Sequence, residues 1–261
     1  MADTKITALT ENTTPLSTDI IPMVESPGGT PITKKVTLAN IDTFINTSVV
    51  LAAGTASAGT APLKFTTGTL LGTPEVGAKE FLTNIHYQTH AAGNRAVSAG
   101  IHFTSNVGDF TGSSTTAAQP IFQAANDTFT PDANTTYLFD LFLSVTNGTT
   151  TATKALVFGG TATYSKIRYN AIGQFVAANT TGTVQSTAHV DRATSTVVLA
   201  TGTTAWYIRA QGIFRISTGG TVIPQFAYSA APGTTVLIKS DSYFTAIPVG
   251  SDTVASVGAW A

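Results

Sequence analysis

At 261 residues, with a net charge of −1, only 10% charged residues and no cysteine, the chain is long enough to bury a sizeable core. It has no grouped Lys and Arg to hold nucleic acid, no thiols for a disulfide framework or thiolate metal site, and no run near the roughly 20 apolar residues of a membrane helix. Threonine is abundant, which favours pleated strands, and so charge-poor a surface predicts burial against other copies.

Residues 1–45 open with "MADTKITALT", which lacks the charged-then-apolar order of a signal peptide and predicts a chain made and kept in a cytoplasm or released by lysis. Short apolar runs on either side of "ESPGGTP" predict a hairpin, and "LANIDTFI" has room for one or two helical turns. Residues 46–95 alternate in short pieces broken by Gly, Thr and Pro. Such pieces cannot bury an apolar face alone, which makes this segment a β-rich shaft or linker.

From residue 96 to the end, strand signals dominate. "TYLFDLFLSV" places Tyr137, Phe139, Leu141, Leu143 and Val145 on one face and Leu138, Asp140, Phe142 and Ser144 on the other. Both faces are largely apolar, so a cover is expected on each. "KALVFGG", "SKIRYNAIGQFV", "TSTVVLA", "AWYIRAQGIFRIS", "TVIPQFAYSA", "TVLIKSDSYFTAI" and "DTVASVGAW" follow as further strands between Gly-containing turns. Eight or more strands without a long helix predict an all-β sandwich or jelly roll.

No catalytic site is expected. All four glutamates, Glu11, Glu25, Glu75 and Glu80, precede residue 81, and the sandwich has only scattered aspartates, so paired carboxylates for glycoside hydrolysis are not expected within one chain, though acids from neighbouring copies could still meet. Ser186, His189 and Asp191 are the residue types of a triad. Strand residues two apart stand roughly 6.6 Å from each other, too far to bond directly, and no Gly-x-Ser-x-Gly elbow is present. His86 and His90 would share a metal on a helix, but in an extended segment they lie about 13 Å apart. The alternative is one axial His per chain of a parallel trimer, which would supply three ligands; otherwise no metal or cofactor is predicted, and Gly159-Gly160 and Gly219-Gly220 read as turns or bulges.

"GTAPLKFTTGTLLGTPEVGAKEF" resembles a segment of bacteriophage fibre and virion structural proteins, in which an APLKF-type strand precedes a TPE-G-A-E hairpin. Leu82, Thr83 and Asn84 stand where those proteins continue with Asp-Gly, and Arg95 follows "AAGN". "TTYLFDLFLSV", "KALVFGGTATYSKIRY", "IFRISTGGTVIPQFAYSAAPGTTVLIKSDSYFTAIPVGS" and "TVASVGAW" resemble the terminal domain of the same proteins, which is similar to the trimeric jelly rolls of the C1q and tumour-necrosis-factor type. The N-terminal "ITALTENTTPLSTDIIPMVES" and "TKKVTLANI" are similar to the opening of many tail-fibre proteins.

The resemblance implies an all-β homotrimer, not an enzyme, in the virion: an N-terminal attachment region (1–45), a β-hairpin shaft (46–95) and a jelly-roll head (96–261). Attachment to other phage virion proteins would fall to Asp19, Ile21, Pro22, Lys34 and Lys35. Leu63, Phe65, Leu70 and Leu71 would pack the shaft. Phe226, Tyr228 and Tyr243 are candidates for the surface between chains, or alternatively for the core of each sandwich. The loops "SNVGDFTGSSTTAAQ" and "NTTGTVQSTAHVDR" would form a rim that touches a host cell-surface glycan or protein. The alternative is a capsid decoration or head-fibre protein with a purely structural role. Neither nucleic acid nor membrane insertion is expected.

Overall fold

A computed structural model describes residues 16, 18, 20–25, 32–41, 51, 53–91, 93–146, 152–175, 184–189, 196–200 and 205–258. It divides into two units, Met1–Lys64 and Phe65–Ala261, so the expected shaft segment is shared between them.

In the first unit, β1 (Ile20–Glu25) and β2 (Ile32–Thr37) form an antiparallel hairpin, with Ile20 opposite Thr37 and Glu25 opposite Ile32. The expected turn lies outside the described residues. A single helical turn follows at 38–41, started by Thr37, whose hydroxyl accepts a hydrogen bond from the Asn40 amide at 3.2 Å as an N-cap does. Further on, the Thr60 hydroxyl donates to the Ser57 carbonyl at 2.8 Å and accepts from the Thr55 amide at 3.1 Å, closing "TASAGT" into a compact loop.

The second unit begins with a three-stranded meander, β3 (Lys79–Leu82), β4 (Ile85–Ala91) and β5 (Asn94–Val97). Where the resemblance led to Asp-Gly, the β3–β4 turn uses Thr83 in the left-handed region at φ 55°. Its amide donates to the Thr67 hydroxyl at 2.7 Å, which helps hold a β-branched residue where glycine is usual.

The remaining strands are β6 (His102–Ser105), β7 (Phe110–Gly112), β8 (Gln119–Pro120), β9 (Thr135–Thr146), β10 (Lys154–Gly159), β11 (Thr163–Phe175), β12 (Val184–His189), β13 (Thr196–Leu199), β14 (Ala205–Thr218), β15 (Ile223–Tyr228), β16 (Val236–Ile238) and β17 (Tyr243–Ser251). They build two antiparallel sheets. The larger has the order β12-β11-β14-β9-β17-β6, with β16 and β7 continuing beside the far end of β9. The smaller has the order β13-β10-β15-β8.

The alternation along β9 fixes which face is inside: Tyr137, Phe139, Leu141, Leu143 and Val145 are all buried. They meet Phe158, Phe214, Phe226 and Trp206 in one continuous core, with Tyr137 stacked on Phe214 at 5.2 Å between ring centres and Phe139 edge-on to Phe158 at 5.3 Å. Gly173 of β11 lets the sheets approach, because a Cβ there would stand 2.4 Å from Leu199 of β13. The two glycine pairs read as turns come together: a Cβ on Gly160, at φ 99°, would lie 2.1 Å from the Thr221 carbonyl oxygen.

Three expectations change. "DTVASVGAW" forms no strand over residues 252–258. Its carbonyls at Asp252 and Val254 instead accept the Arg215 guanidinium, each at 2.8 Å. "TVLIKSDSYFTAI" is two strands, β16 and β17, separated by a turn in which the Ser242 amide donates to the Lys239 carbonyl at 3.1 Å. The rim segments are not free loops. The first contains β7 and leads into β8, pinned where Gln119 accepts from the Ser113 amide at 2.7 Å, and the second contains β12, paired to β11.

Candidate functional site

The outer face of the large sheet carries the side chains that strand alternation turns away from the core. Its cross-strand register sorts them into rows. Ile172, Arg209, Phe142 and Tyr243 form one row across β11, β14, β9 and β17. Asn170, Gln211, Asp140 and Thr245 form the next, and Arg168, Ile213, Leu138 and Ile247 the third. Two rows rich in apolar side chains thus flank a polar one.

The apolar rows are open to solvent in a single chain. Leu138 is 47% exposed and Ile172 42%. Aromatic rings continue across the strands: Phe142 lies 5.6 Å from Tyr207 and 6.0 Å from Tyr243, which in turn stacks on Phe103 at 6.4 Å. A depression of about 570 Å³ lies over Phe142, Ile172, Tyr207 and Tyr243. A second, of about 610 Å³, is walled by Leu138, Ile213, Val249, Val254 and Val257.

Asp140 organises the polar row. Its Oδ2 accepts from Arg209 Nη2 at 3.0 Å, Gln211 Nε2 at 3.2 Å and Tyr243 Oη at 3.4 Å. The paired carboxylate holds the Arg209 guanidinium further into its charged form. An apolar surface around an ion-paired centre suits contact between proteins, where apolar area provides attraction and a neutralised charge pattern sets register.

The expected interface residues separate on this basis. Tyr243 lies on the outer face, whereas Phe226 and Tyr228, 0% and 3% exposed, are packed edge-on against Trp206 in the core. They sit on β15 of the small sheet, whose inward face their side chains fill, so core filling is their role. Phe142, Tyr207, Ile172 and Arg209 share this outer face with Tyr243 and were not singled out in the sequence. The signal was present in Leu138 and Phe142 on the second face of "TYLFDLFLSV", a face left partly open among the described residues.

In the segment expected to pack the shaft, Leu63, Phe65 and Leu71 are exposed and Leu70 is half-buried. Glu80 and Arg95 form a latch over part of it. Glu80 accepts from the Leu71 amide at 2.6 Å and from Arg95 Nε at 2.8 Å, while Arg95 Nη2 donates to the Leu71 carbonyl at 2.6 Å. The Leu71 amide, with help from Arg95, lowers the Glu80 carboxyl pKa from its ordinary value. His86 lies against the rings of Phe65 and Phe81, at 5.7 and 4.5 Å.

Of the expected attachment residues, Ile21, Pro22, Lys34 and Lys35 fall on the β1–β2 hairpin, where Pro22 is opposite Lys35, and Ile21 and Lys35 are exposed. Asp19 lies outside the described residues. Ser186 and His189 stand on β12 opposite Ile172 and Tyr169, and Asp191 is outside the described residues. Among the described residues no group of His, Asp and Glu has a metal-binding arrangement, and no helix is long and apolar enough to cross a membrane.

Compared with protein-family models, with curated proteins and with solved structures, the chain matches none.

Proposed function

We propose that this chain is a bacteriophage virion structural protein: a homotrimeric fibre or spike, anchored by its N-terminal region and presenting a jelly-roll head to the host surface. The observation that carries the proposal is the open apolar and aromatic face of the large sheet, which a charge-poor chain covers by self-association. The exposed Leu63, Phe65 and Leu71 belong to the same reading, as side chains that need neighbouring copies for cover.

The jelly-roll reading is supported by strand pairing. Taking β6, β8, β9, β10, β13, β14, β15 and β17 as the eight main strands, the first pairs with the last, the second with the seventh, the third with the sixth and the fourth with the fifth. That nested pairing follows when a long antiparallel ribbon is rolled into two facing sheets. The β11–β12 hairpin is then an addition beside β14, which widens the outer face.

Sedimentation equilibrium of the full chain tests the assembly: a mass three times that of the 26.9 kDa chain is expected, and a stable soluble monomer refutes it. Antibody to the head on intact virions tests the position. Labelling at the tail or fibre tips agrees with the proposal, and labelling confined to the capsid replaces it with a decoration protein.

A further inference from the structure

Beside the assembly face, the sandwich opens at its β6 edge into a cleft of about 250 Å³ between the two sheets. Its floor is apolar: Phe129, Phe244 and Pro224 line it, and the Phe129 ring is fixed by Tyr137 at 5.3 Å and Phe244 at 6.2 Å. Its rim is polar. His102 stands over Phe129 at 5.1 Å between ring centres, and Asn126 and Asp127 face it on the connection from β8 to β9. That connection is tied to β6, because the Thr104 hydroxyl donates to the Asn126 carbonyl at 3.1 Å.

The rim keeps hydrogen-bonding capacity in hand. Asp127 Oδ1 accepts from the Thr128 hydroxyl at 2.7 Å. Among the described residues, its Oδ2, the Asn126 carboxamide and both His102 ring nitrogens make no protein hydrogen bond. Two adjacent planar groups, a carboxylate that only accepts and a carboxamide that donates and accepts, match the alternating donor and acceptor character of neighbouring hydroxyls. An aromatic floor matches the C–H face of a sugar ring.

The other ligand classes fit less well. A hard cation wants six or more oxygen ligands, and the cleft offers one carboxylate. An anion finds no Lys or Arg there. A wholly apolar guest would desolvate the rim groups without partners. The volume is also below the roughly 300–1,000 Å³ of drug-sized sites. We infer that this cleft binds a single neutral pyranose residue, with Asn126 and Asp127 holding adjacent hydroxyls, the ring over Phe129 and His102 closing one side. Placing that sugar at the end of a bacterial surface glycan rests on the host-binding reading above.

The test uses the full chain with D-glucose, D-galactose, D-mannose, L-rhamnose and N-acetyl-D-glucosamine, each followed by saturation-transfer NMR and by the His102 ring signals, assigned with His102→Gln. The inference expects at least one sugar to bind and shift His102, and expects Asn126→Ala/Asp127→Ala to weaken it at least tenfold. The double variant, at one exposed and one half-buried rim position, should keep the wild-type melting temperature. If none of the five sugars binds, or if binding is unchanged in the double variant, the inference is overturned. Labelled wild type and double variant are then applied to the infected bacterium. Equal binding by both overturns the cleft and leaves the host-binding reading standing. Sugar binding in solution with no wild-type binding to cells keeps the cleft and overturns the host-binding reading.

Discussion

Replacing Lys154 by Met should stabilise the protein near neutral pH and remove a distinctive pH dependence. Lys154 is on β10 with 0% of its surface exposed. Its ammonium donates to the Ala152 carbonyl at 3.0 Å and lies 4.9 Å from the centre of the Phe175 ring. Burial favours the neutral amine and lowers the pKa from 10.5 to about 8. At about 1.4 kcal/mol for each pH unit, this lowering corresponds to about 3 kcal/mol.

The sign follows from proton counting. Between pH 8 and 10.5 the unfolded chain holds the lysine proton and the folded chain does not, so stability contributed by this group rises with pH across that window. Below pH 8 both states are protonated and the full penalty applies. Methionine has a similar unbranched shape and no charge. It forfeits the hydrogen bond and ring contact of the charged form, together about 2 kcal/mol, which leaves a gain of about 1 kcal/mol at pH 7. Urea unfolding of both proteins at pH 7, 8, 9 and 10, at one fixed protein concentration, should show that advantage shrinking as pH rises. A difference that stays constant from pH 7 to 10 would refute the reasoning. Comparison with the variant is needed because burial also raises the pKa of Tyr137, to about 12, and that of Tyr228, which lowers stability above pH 10 in both proteins.

Gly173→Val places methyl groups where a Cβ alone comes within 2.4 Å of Leu199, and should cost about 1–3 kcal/mol in urea unfolding. Leu138→Glu with Phe142→Ser puts charge and polarity into the two apolar rows, and should convert the proposed trimer to monomer in sedimentation while leaving the circular dichroism of the β sandwich intact. Glu80→Gln should speed hydrogen exchange at the Leu71 amide without slowing or speeding that of core amides such as Leu141. Because the Glu80 pKa is lowered in the folded chain, the latch should hold above the ordinary glutamate range and open as pH falls below it, with the same Leu71 amide as the reporter.

The strands with strict alternation were legible in the sequence. β9, β11 and β14 are long, and their inward positions are almost all apolar, large in β9 and interrupted by Gly173 in β11 and Gly212 in β14. The short strands were not legible, because β8 has two residues and β7 three. These are set by partners distant in sequence, such as Gln225 and Phe226 for β8 and Val236 to Ile238 for β7, and polar Thr- and Ser-rich segments gave no local sign of them. "DTVASVGAW" misled for the opposite reason. It has β-favouring residues, but the carbonyls at Asp252 and Val254 go to Arg215 instead of a neighbouring strand. At the outer face, local pattern marked Leu138 and Phe142 as apolar. It did not show that Phe226 and Tyr228 belong to the other sheet, since that depends on the pairing of β15 with β10.

The nested strand order also governs when the head can exist during synthesis. β17 lies between β6 and β9, yet it is the last strand of the head to leave the ribosome, and β6 is among the first. Until β17 arrives, β6 has no neighbour in its sheet and the long edge of β9 is uncovered. A chain cut short before Tyr243 therefore lacks Phe244 and Ala246 from the core and Tyr243 from the outer face of the large sheet at once. The head therefore cannot complete its large sheet or its core until β17 has been made, however much of the rest has already emerged.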